Sequence, residues 1–228
     1  MTRRRQGGYA VSAVAAVVLA AVVLVAVTVV LGVVNPVRRV PVSTDTLGPE
    51  NGERVSDYLA RSSRSLDQEL RGERWALVSF ETPVTTGVVR ELALGVRVSQ
   101  VMFRVPLERV QTPLIAVSVA AGDAALARAS VLAAGRVPMK TGETDRQANI
   151  SAVSAEELSR NCACVIGVVV RADLDQLTAM RSAPEVRVVE ALSADAVFGR
   201  FAVRPLLPEQ VEFVEPGPDD GFVPCGGS

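Results

Sequence analysis

The fold of this chain is decided by residues 164–192, which read CVIGVVVRADLDQLTAMRSAPEVRVVEAL. The stretch opens on an uninterrupted apolar run, Cys164 to Val170, which is typical of a central β-strand. Asp173 then predicts the N-cap of a short helix, and Pro184 predicts its end before a second strand, Val186 to Leu192. The sequence therefore predicts a strand, a helix and a strand in succession.

An earlier stretch, Trp75 to Val105, repeats this order. Trp75 to Phe80 and Val96 to Val105 are rich in β-prone residues, and Pro83 to Leu94 carries apolar residues at helical spacing between them. Two such units build a ferredoxin-like sandwich, or a duplicated βαβ relative of it. We therefore expect an α/β (α+β) domain with an open sheet and helices packed on it.

Periodicity and capping patterns predict further elements around these two units. They are a helix from Val55 to near Gly72, a strand from Leu114 to Ala120 and an alanine-rich helix from Asp123 to Ala134. Gly135 to Ser151 lacks apolar periodicity and is expected to be an exposed loop or a boundary between halves. Ser154 followed by Glu157 is a capping box, which predicts the start of another short helix.

Residues 170–190, VRADLDQLTAMRSAPEVRVVE, resemble the last helix and strand of subtilisin-type propeptides. Domains of that family are ferredoxin-like and act as folding aids and inhibitors of proteases. The resemblance implies a ferredoxin-like fold and, as one alternative function, a propeptide-like protease inhibitor. It implies no site residues in this chain.

A long apolar segment precedes the α/β pattern. From Tyr9 to Val34 the sequence is almost wholly apolar, and no charge occurs between Arg5 and Arg38. About 20 helical residues cross a hydrocarbon core of about 30 Å, so we expect a transmembrane helix over residues 9–34. A cleaved signal peptide is the alternative, but its apolar region is normally only about 7 to 15 residues long.

Basic residues on either side of this segment predict its orientation. Arg3, Arg4 and Arg5 precede it, whereas Arg38 and Arg39 follow it. The positive-inside rule therefore favours a cytoplasmic N-terminus and an extracytoplasmic remainder, as in a single-pass protein of the cell membrane. The expected division is 1–8 cytoplasmic, 9–34 transmembrane, 35–52 juxtamembrane linker, 53–207 extracytoplasmic α/β domain, and 208–228 acidic flexible tail.

Small residues recur at every fourth position in and just before the apolar segment. Gly8, Ser12, Ala16 and Ala20 form a small-xxx-small stripe, which lets two transmembrane helices approach closely. The stripe is a possible helix-dimer face, and a plain lipid-facing anchor is the alternative.

The three cysteines are Cys162, Cys164 and Cys225. A disulfide from Cys225 to either Cys164 or Cys162 would suit an oxidising exterior and would tie the tail to the domain. Buried or unpaired thiols without a role are equally compatible with the sequence. A metal site is a third interpretation, in which three thiolates would need an acid or a water as the fourth ligand.

The absence of histidine removes most of the usual hydrolytic machinery, including Ser-His-Asp and Cys-His catalysis and the common zinc motifs. The only lysine, Lys140, has no serine three residues before it, and the chain carries no glycine-rich nucleotide-binding motif. We therefore predict no catalytic residues, no cofactor and no resident metal. Acidic residues outnumber basic ones beyond the apolar segment, which disfavours nucleic acid as a partner.

These observations favour a non-enzymatic, membrane-anchored protein whose extracytoplasmic domain binds another envelope protein as a scaffold, sensor or assembly subunit. Two alternatives remain open. One is an envelope hydrolase that uses carboxylates alone or a thiol, which requires a cleft holding a carboxylate of raised pKa or an exposed Cys162 or Cys164. The other is the protease inhibitor implied by the propeptide resemblance.

Overall fold

The computed structural model describes residues 18–27, 45–67, 72–138 and 144–224. The chain divides into two units, Met1–Val42 and Ser43–Ser228. In the first unit, residues 18–27 form helix α1, whose side chains are all exposed. Among the residues described, no helix has both the length and the apolarity needed to cross a membrane.

Most of the predicted span, residues 9–34, lies outside the described residues. The same holds for Gly8, Ser12 and Ala16 of the predicted dimer stripe, whereas Ala20 lies within α1 and is exposed. The transmembrane helix and its dimer face therefore stay predictions.

The second unit contains both strands and helices. Its elements are β1 (Thr46–Leu47), α2 (Val55–Leu66), β2 (Arg74–Val84), α3 (Thr86–Leu92), β3 (Arg97–Phe103), β4 (Ile115–Ser118), α4 (Asp123–Ala127), α5 (Ala129–Ala134), α6 (Asp145–Ser159), β5 (Val165–Ala172), α7 (Leu174–Arg181), β6 (Val186–Ala191) and β7 (Ala202–Val203). The mixed α/β prediction is thereby confirmed.

The main sheet has five strands in the order β4-β3-β5-β2-β6, and each neighbouring pair is antiparallel. The unit β2-α3-β3 leaves a gap that β5 fills, and the unit β5-α7-β6 leaves a gap that β2 fills. These four strands thus interleave as in a split βαβ arrangement, and β4 adds a fifth strand beside β3. β5 is central and buried on both faces, as its continuous apolar sequence indicates.

One face of the sheet is covered by helices, and we call it the helix face. Along β2, Ala76, Val78 and Phe80 point to this face, because alternate residues of a strand share a side. Leu177 of α7 and Leu158 of α6 pack into the same core. Asp173 caps α7 as predicted, since its carboxylate accepts from the Gln176 backbone N–H at 2.8 Å.

The opposite face is covered mainly by irregular chain, and we call it the segment face. The alternate β2 residue Leu77 lies here with Met102, Ile166 and Val169. Residues 192–214 and the small parallel pair β1-β7 pack over these side chains, together with α2. The Leu206 backbone N–H donates to the Ser79 hydroxyl at 3.2 Å, which fixes the covering chain to the middle of β2.

Several predicted boundaries were wrong. The capping box that opens α6 is Thr144 with Gln147, so Ser154 lies inside the helix and the predicted loop is helical from Asp145 onward. A sequence offers several Ser/Thr-x-x-Glu/Gln patterns, and tertiary packing selects which of them caps a helix. Pro83 lies within β2, where the chain continues as a strand for four residues beyond Phe80.

The alanine-rich helix predicted from Asp123 to Ala134 is divided into α4 and α5 at Arg128. The predicted solvated tail also differs from the structure, which describes its residues 208–224. Gln210 and Val214 are buried there, and acids of this stretch bind arginines elsewhere in the domain. Residues 208–224 therefore belong to the packed unit.

Candidate binding site

A cleft of about 420 Å³ opens where the ends of three strands of the main sheet lie side by side. β2 and β3 both run antiparallel to β5, so the ends of the first two lie beside the start of the third. Pro83, Arg104 and Ile166 are positioned by these three strand ends. A volume of this size lies within the usual range for ligand sites, about 300 to 1,000 Å³.

The floor of the cleft is apolar and its rim is charged. Ile166, Val105 and Val110 are buried, and they supply the floor. Four prolines lie around it. Pro83 and Pro106 lie near the strand ends, and Pro208 and Pro218 lie in residues 208–224, which we call the C-terminal stretch. An apolar centre inside a polar rim is the usual anatomy of a protein–protein contact.

Two arginines on the rim are already held by acids. The Arg104 guanidinium binds the Glu209 carboxylate, and its side chain is only 13% exposed. Arg109 binds Asp220 through two parallel contacts, Nε to Oδ1 at 2.7 Å and Nη2 to Oδ2 at 2.6 Å. Because each guanidinium already has a carboxylate partner, the cleft does not present an uncompensated positive charge to a ligand.

The C-terminal stretch closes one side of this cleft through polar contacts and one close backbone approach. Asp219 accepts from the Gln111 backbone N–H at 3.0 Å and from Arg146 at 3.2 Å. A Cβ at Gly221 would lie 2.1 Å from the Glu108 carbonyl oxygen, so only glycine fits there. The Gln111 N–H holds the pKa of Asp219 below its usual range, and the Arg109 guanidinium does the same for the pKa of Asp220.

A second cluster surrounds the buried carboxylate of Glu190, on the segment face of β6. The Gly48 backbone N–H and the Arg61 guanidinium each donate to it at 2.5 Å, and the Tyr58 hydroxyl donates at 3.3 Å. Arg61 also binds Glu53 at 3.2 Å. The cluster joins β6, α2 and the chain after β1.

Burial raises the pKa of Glu190, and the donors from Gly48, Arg61 and Tyr58 only partly oppose that effect. Burial likewise raises the pKa of Tyr58. Both Glu190 oxygens are already occupied by donors, and Glu190 does not line the cleft at the strand ends. The geometry therefore gives Glu190 a connecting role between elements, and it does not place a proton donor where a substrate could bind.

The cysteines are paired differently from the prediction. Cys162 and Cys164 form a disulfide with each other, a pairing that is not among those predicted from the sequence. Both lie between α6 and β5, before the strand begins, and Cys164 is fully buried. Cys225 lies outside the described residues, and while Cys162 and Cys164 are joined neither is available for the predicted bond to it.

The features required by the hydrolase alternative are therefore not combined in the described part of the chain. The carboxylate of raised pKa lies away from the cleft, and the two thiols are joined in a disulfide. No protein-family model matches this sequence, and comparisons with curated proteins and with solved structures find no match.

Neither the cleft nor the Glu190 cluster is predicted by the sequence patterns. The cleft unites residues from four separate stretches of the chain, and Glu190 binds Gly48 across 142 positions. One signal was present in the sequence. The acids from Glu209 to Asp220 include three that bind arginines of the domain, and an acidic stretch in an arginine-rich protein is a candidate for such pairing.

Proposed function

We propose that this chain is a single-pass membrane protein whose α/β domain lies outside the cytoplasm and binds a segment of another envelope protein. The binding is non-enzymatic, and the protein acts as a scaffold, sensor or assembly subunit. The observation that carries the proposal is the proline-rimmed cleft at the strand ends.

The membrane anchor is supported by the sequence of residues 9–34 and by the exposure of α1. Seven large apolar side chains of α1 are between 48% and 67% exposed; they are Val18, Leu19, Val22, Val23, Leu24, Val25 and Val27. An all-round apolar helix is unfavourable in water and stable in lipid. The arginines before this segment support the cytoplasmic N-terminus.

A protein segment is favoured as the occupant of the cleft by the distribution of charge and apolar surface. The floor is formed by buried aliphatic side chains, whereas the ion pairs Arg104–Glu209 and Arg109–Asp220 stand at the rim. Neutralised rim charges disfavour a small anion and suit an extended segment that places an apolar side chain on the floor.

Site-specific photocrosslinking in intact cells tests this proposal. A photoreactive amino acid at Leu107, a partly exposed residue on the rim, is expected to give a discrete adduct with one envelope protein, identified by mass spectrometry. The matched control places the same group at Leu94, which is 83% exposed and precedes β3 at the other end of the sheet. Equal adducts at both positions, or none at Leu107, would refute the cleft as the binding site.

A second variant tests whether the Leu107 adduct arises from binding in the cleft or only from the exposure of Leu107 to solvent. Pro106→Glu adds a charge to the exposed part of the rim, and we expect it to reduce the Leu107 adduct while leaving the thermal unfolding midpoint nearly unchanged. An undiminished adduct would show that the crosslinked partner does not contact the cleft at this part of its rim.

A further inference from the structure

An aromatic cluster lies on the segment face at the end of β2 opposite the cleft. The ring centroids of Trp75 and Phe198 are 4.9 Å apart, and Phe201 lies 6.3 Å from Trp75. Phe198 is 38% exposed and its neighbour Val197 is 51% exposed. The Arg171 guanidinium lies over the Trp75 ring at 5.6 Å from its centroid.

This aromatic cluster lies beside the point at which the chain joins the domain. The Ala202 backbone N–H donates to the Asp45 carbonyl at 3.1 Å, and Ala202 directly follows Phe201. Thr46 then pairs with Ala202 at the start of β1. Asp45 is thus hydrogen-bonded to the residue that follows Phe201 of the aromatic cluster.

The chain before Asp45 limits how far this cluster can be from a bilayer. Ten residues, 35–44, separate the predicted transmembrane helix from Asp45. A fully extended chain of that length spans at most about 35 Å. Tryptophan favours the boundary between headgroups and acyl chains, phenylalanine is buried at that boundary in interfacial segments, and arginine extends its charged end to the headgroups.

We propose that the aromatic cluster of Trp75, Phe198 and Phe201, with Val197, rests on the headgroup region of the lipid bilayer. This inference depends on the membrane anchor in the proposed function. It also orients the domain, because β2 runs for 11 residues from Arg74 at the cluster to Val84 near the cleft. At about 3.3 Å per residue, this strand places the cleft up to about 35 Å from the aromatic cluster.

Trp75 is the only tryptophan of the chain, so the native protein carries its own probe. Full-length protein is reconstituted into phosphatidylcholine–phosphatidylglycerol vesicles, either plain or with lipids brominated in the upper acyl chain. We expect tryptophan emission to be about twofold lower in the brominated vesicles, since bromine quenches an indole only at close range and aromatic rings favour that depth.

Two variants keep the result interpretable if Trp75 is too deep in the cluster for contact. Trp75→Phe combined with Phe198→Trp moves the probe to the exposed ring and should increase the quenching. Trp75→Phe combined with Phe222→Trp is the matched control, because Phe222 is 84% exposed and adjoins Gly221 at the cleft end. This control should show little quenching.

The possible failures are separable. Retention in the membrane pellet after an alkaline wash reports the anchor alone. Retained protein with no quenching at Trp75 or at Phe198→Trp overturns the bilayer contact and leaves the proposed function intact. Protein released by the wash overturns both. If soluble glycan fragments shift the Trp75 emission while brominated lipids do not, the cluster binds carbohydrate and the bilayer contact is wrong.

Discussion

The two faces of the main sheet are built in different ways. The helix face is covered by helices, among them α3 and α7, which follow strands directly in the sequence, and its core includes side chains such as Val78 and Leu177. The segment face is covered by irregular chain from distant positions, fastened by contacts such as those of Glu190. The aromatic cluster and the Glu190 cluster lie on the segment face, and the C-terminal stretch that continues from its covering chain closes the cleft. The scaffold of the sheet and its helices thus follows from local sequence patterns, whereas the cleft and the aromatic cluster depend on contacts between distant parts of the chain.

The largest expected effect tests whether the two faces contribute equally to stability. Leu177 on the helix face and Leu206 on the segment face are both fully buried. Leu177→Ala and Leu206→Ala should each lower the free energy of unfolding by about 2–5 kcal/mol, because each leaves a cavity in packed surroundings. Urea titration of the detergent-solubilised full chain, followed by Trp75 fluorescence, measures this. A loss at Leu206 far smaller than at Leu177 would show that the covering chain is only loosely attached.

A slightly smaller loss of stability is expected at Gly48, which directly follows β1 and packs against Arg204, the residue after β7. Gly48 has φ of +110°, and a Cβ there would lie 1.6 Å from the Arg204 carbonyl oxygen. Gly48→Ala should therefore cost about 3 kcal/mol, measured by the same titration. Gly52→Ala is the matched control: its φ is +74°, and no atom lies within 4 Å of the added Cβ. It should cost only about 1–2 kcal/mol, and equal losses would contradict the close approach at Gly48.

The two strand–helix–strand units of the helix face were largely predictable because their signals are local. Apolar periodicity, the Asp173 cap and the continuous apolar run of β5 each depend on a few neighbouring residues. The segment face was not predictable in this way. Leu206 and Val214 are single buried residues in chain without periodicity, and the partners of Glu190 at Gly48 and Arg61 are 142 and 129 positions away. Nothing in a short window of sequence indicates such contacts.

A moderate, pH-dependent effect is expected at the Glu190 cluster. The folded state raises the pKa of Glu190 above its ordinary value of 4.5. The stabilisation of the folded state that comes from the raised pKa of Glu190 is therefore complete below pH 4.5 and is lost as the pH rises through that raised pKa. Glu190→Gln removes this titration and places an amide donor against Gly48 or Arg61, which should cost about 1–3 kcal/mol.

The difference in unfolding free energy between the wild type and Glu190→Gln should thus be largest near pH 4 and should narrow as the pH rises toward 8. A difference that does not change with pH would show that the folded protein does not perturb Glu190. A difference that widens as the pH rises would show that folding lowers the pKa of Glu190 instead of raising it.

The smallest effect is expected at the exposed pair Arg109–Asp220. Both side chains are more than half exposed, and solvent and salt screen such pairs. Asp220→Asn should leave the thermal midpoint nearly unchanged at pH 7. Because the pKa of Asp220 is lowered, any contribution from this pair is present above its ordinary value of 3.8 and is lost as the pH falls. A clear loss of stability at neutral pH would mean that this single contact holds the C-terminal stretch in place.

Cysteine labelling with a membrane-impermeant maleimide in intact cells tests directly the proposal that the domain lies outside the cytoplasm. Trypsin releases Cys162 and Cys164 together between Arg160 and Arg171, whereas Cys225 falls in a separate C-terminal peptide. We predict that Cys225 is labelled in intact cells and that the peptide of Cys162 and Cys164 is labelled only after reduction. Labelling of Cys225 that requires lysis of the cells would place the domain in the cytoplasm and contradict the proposed function.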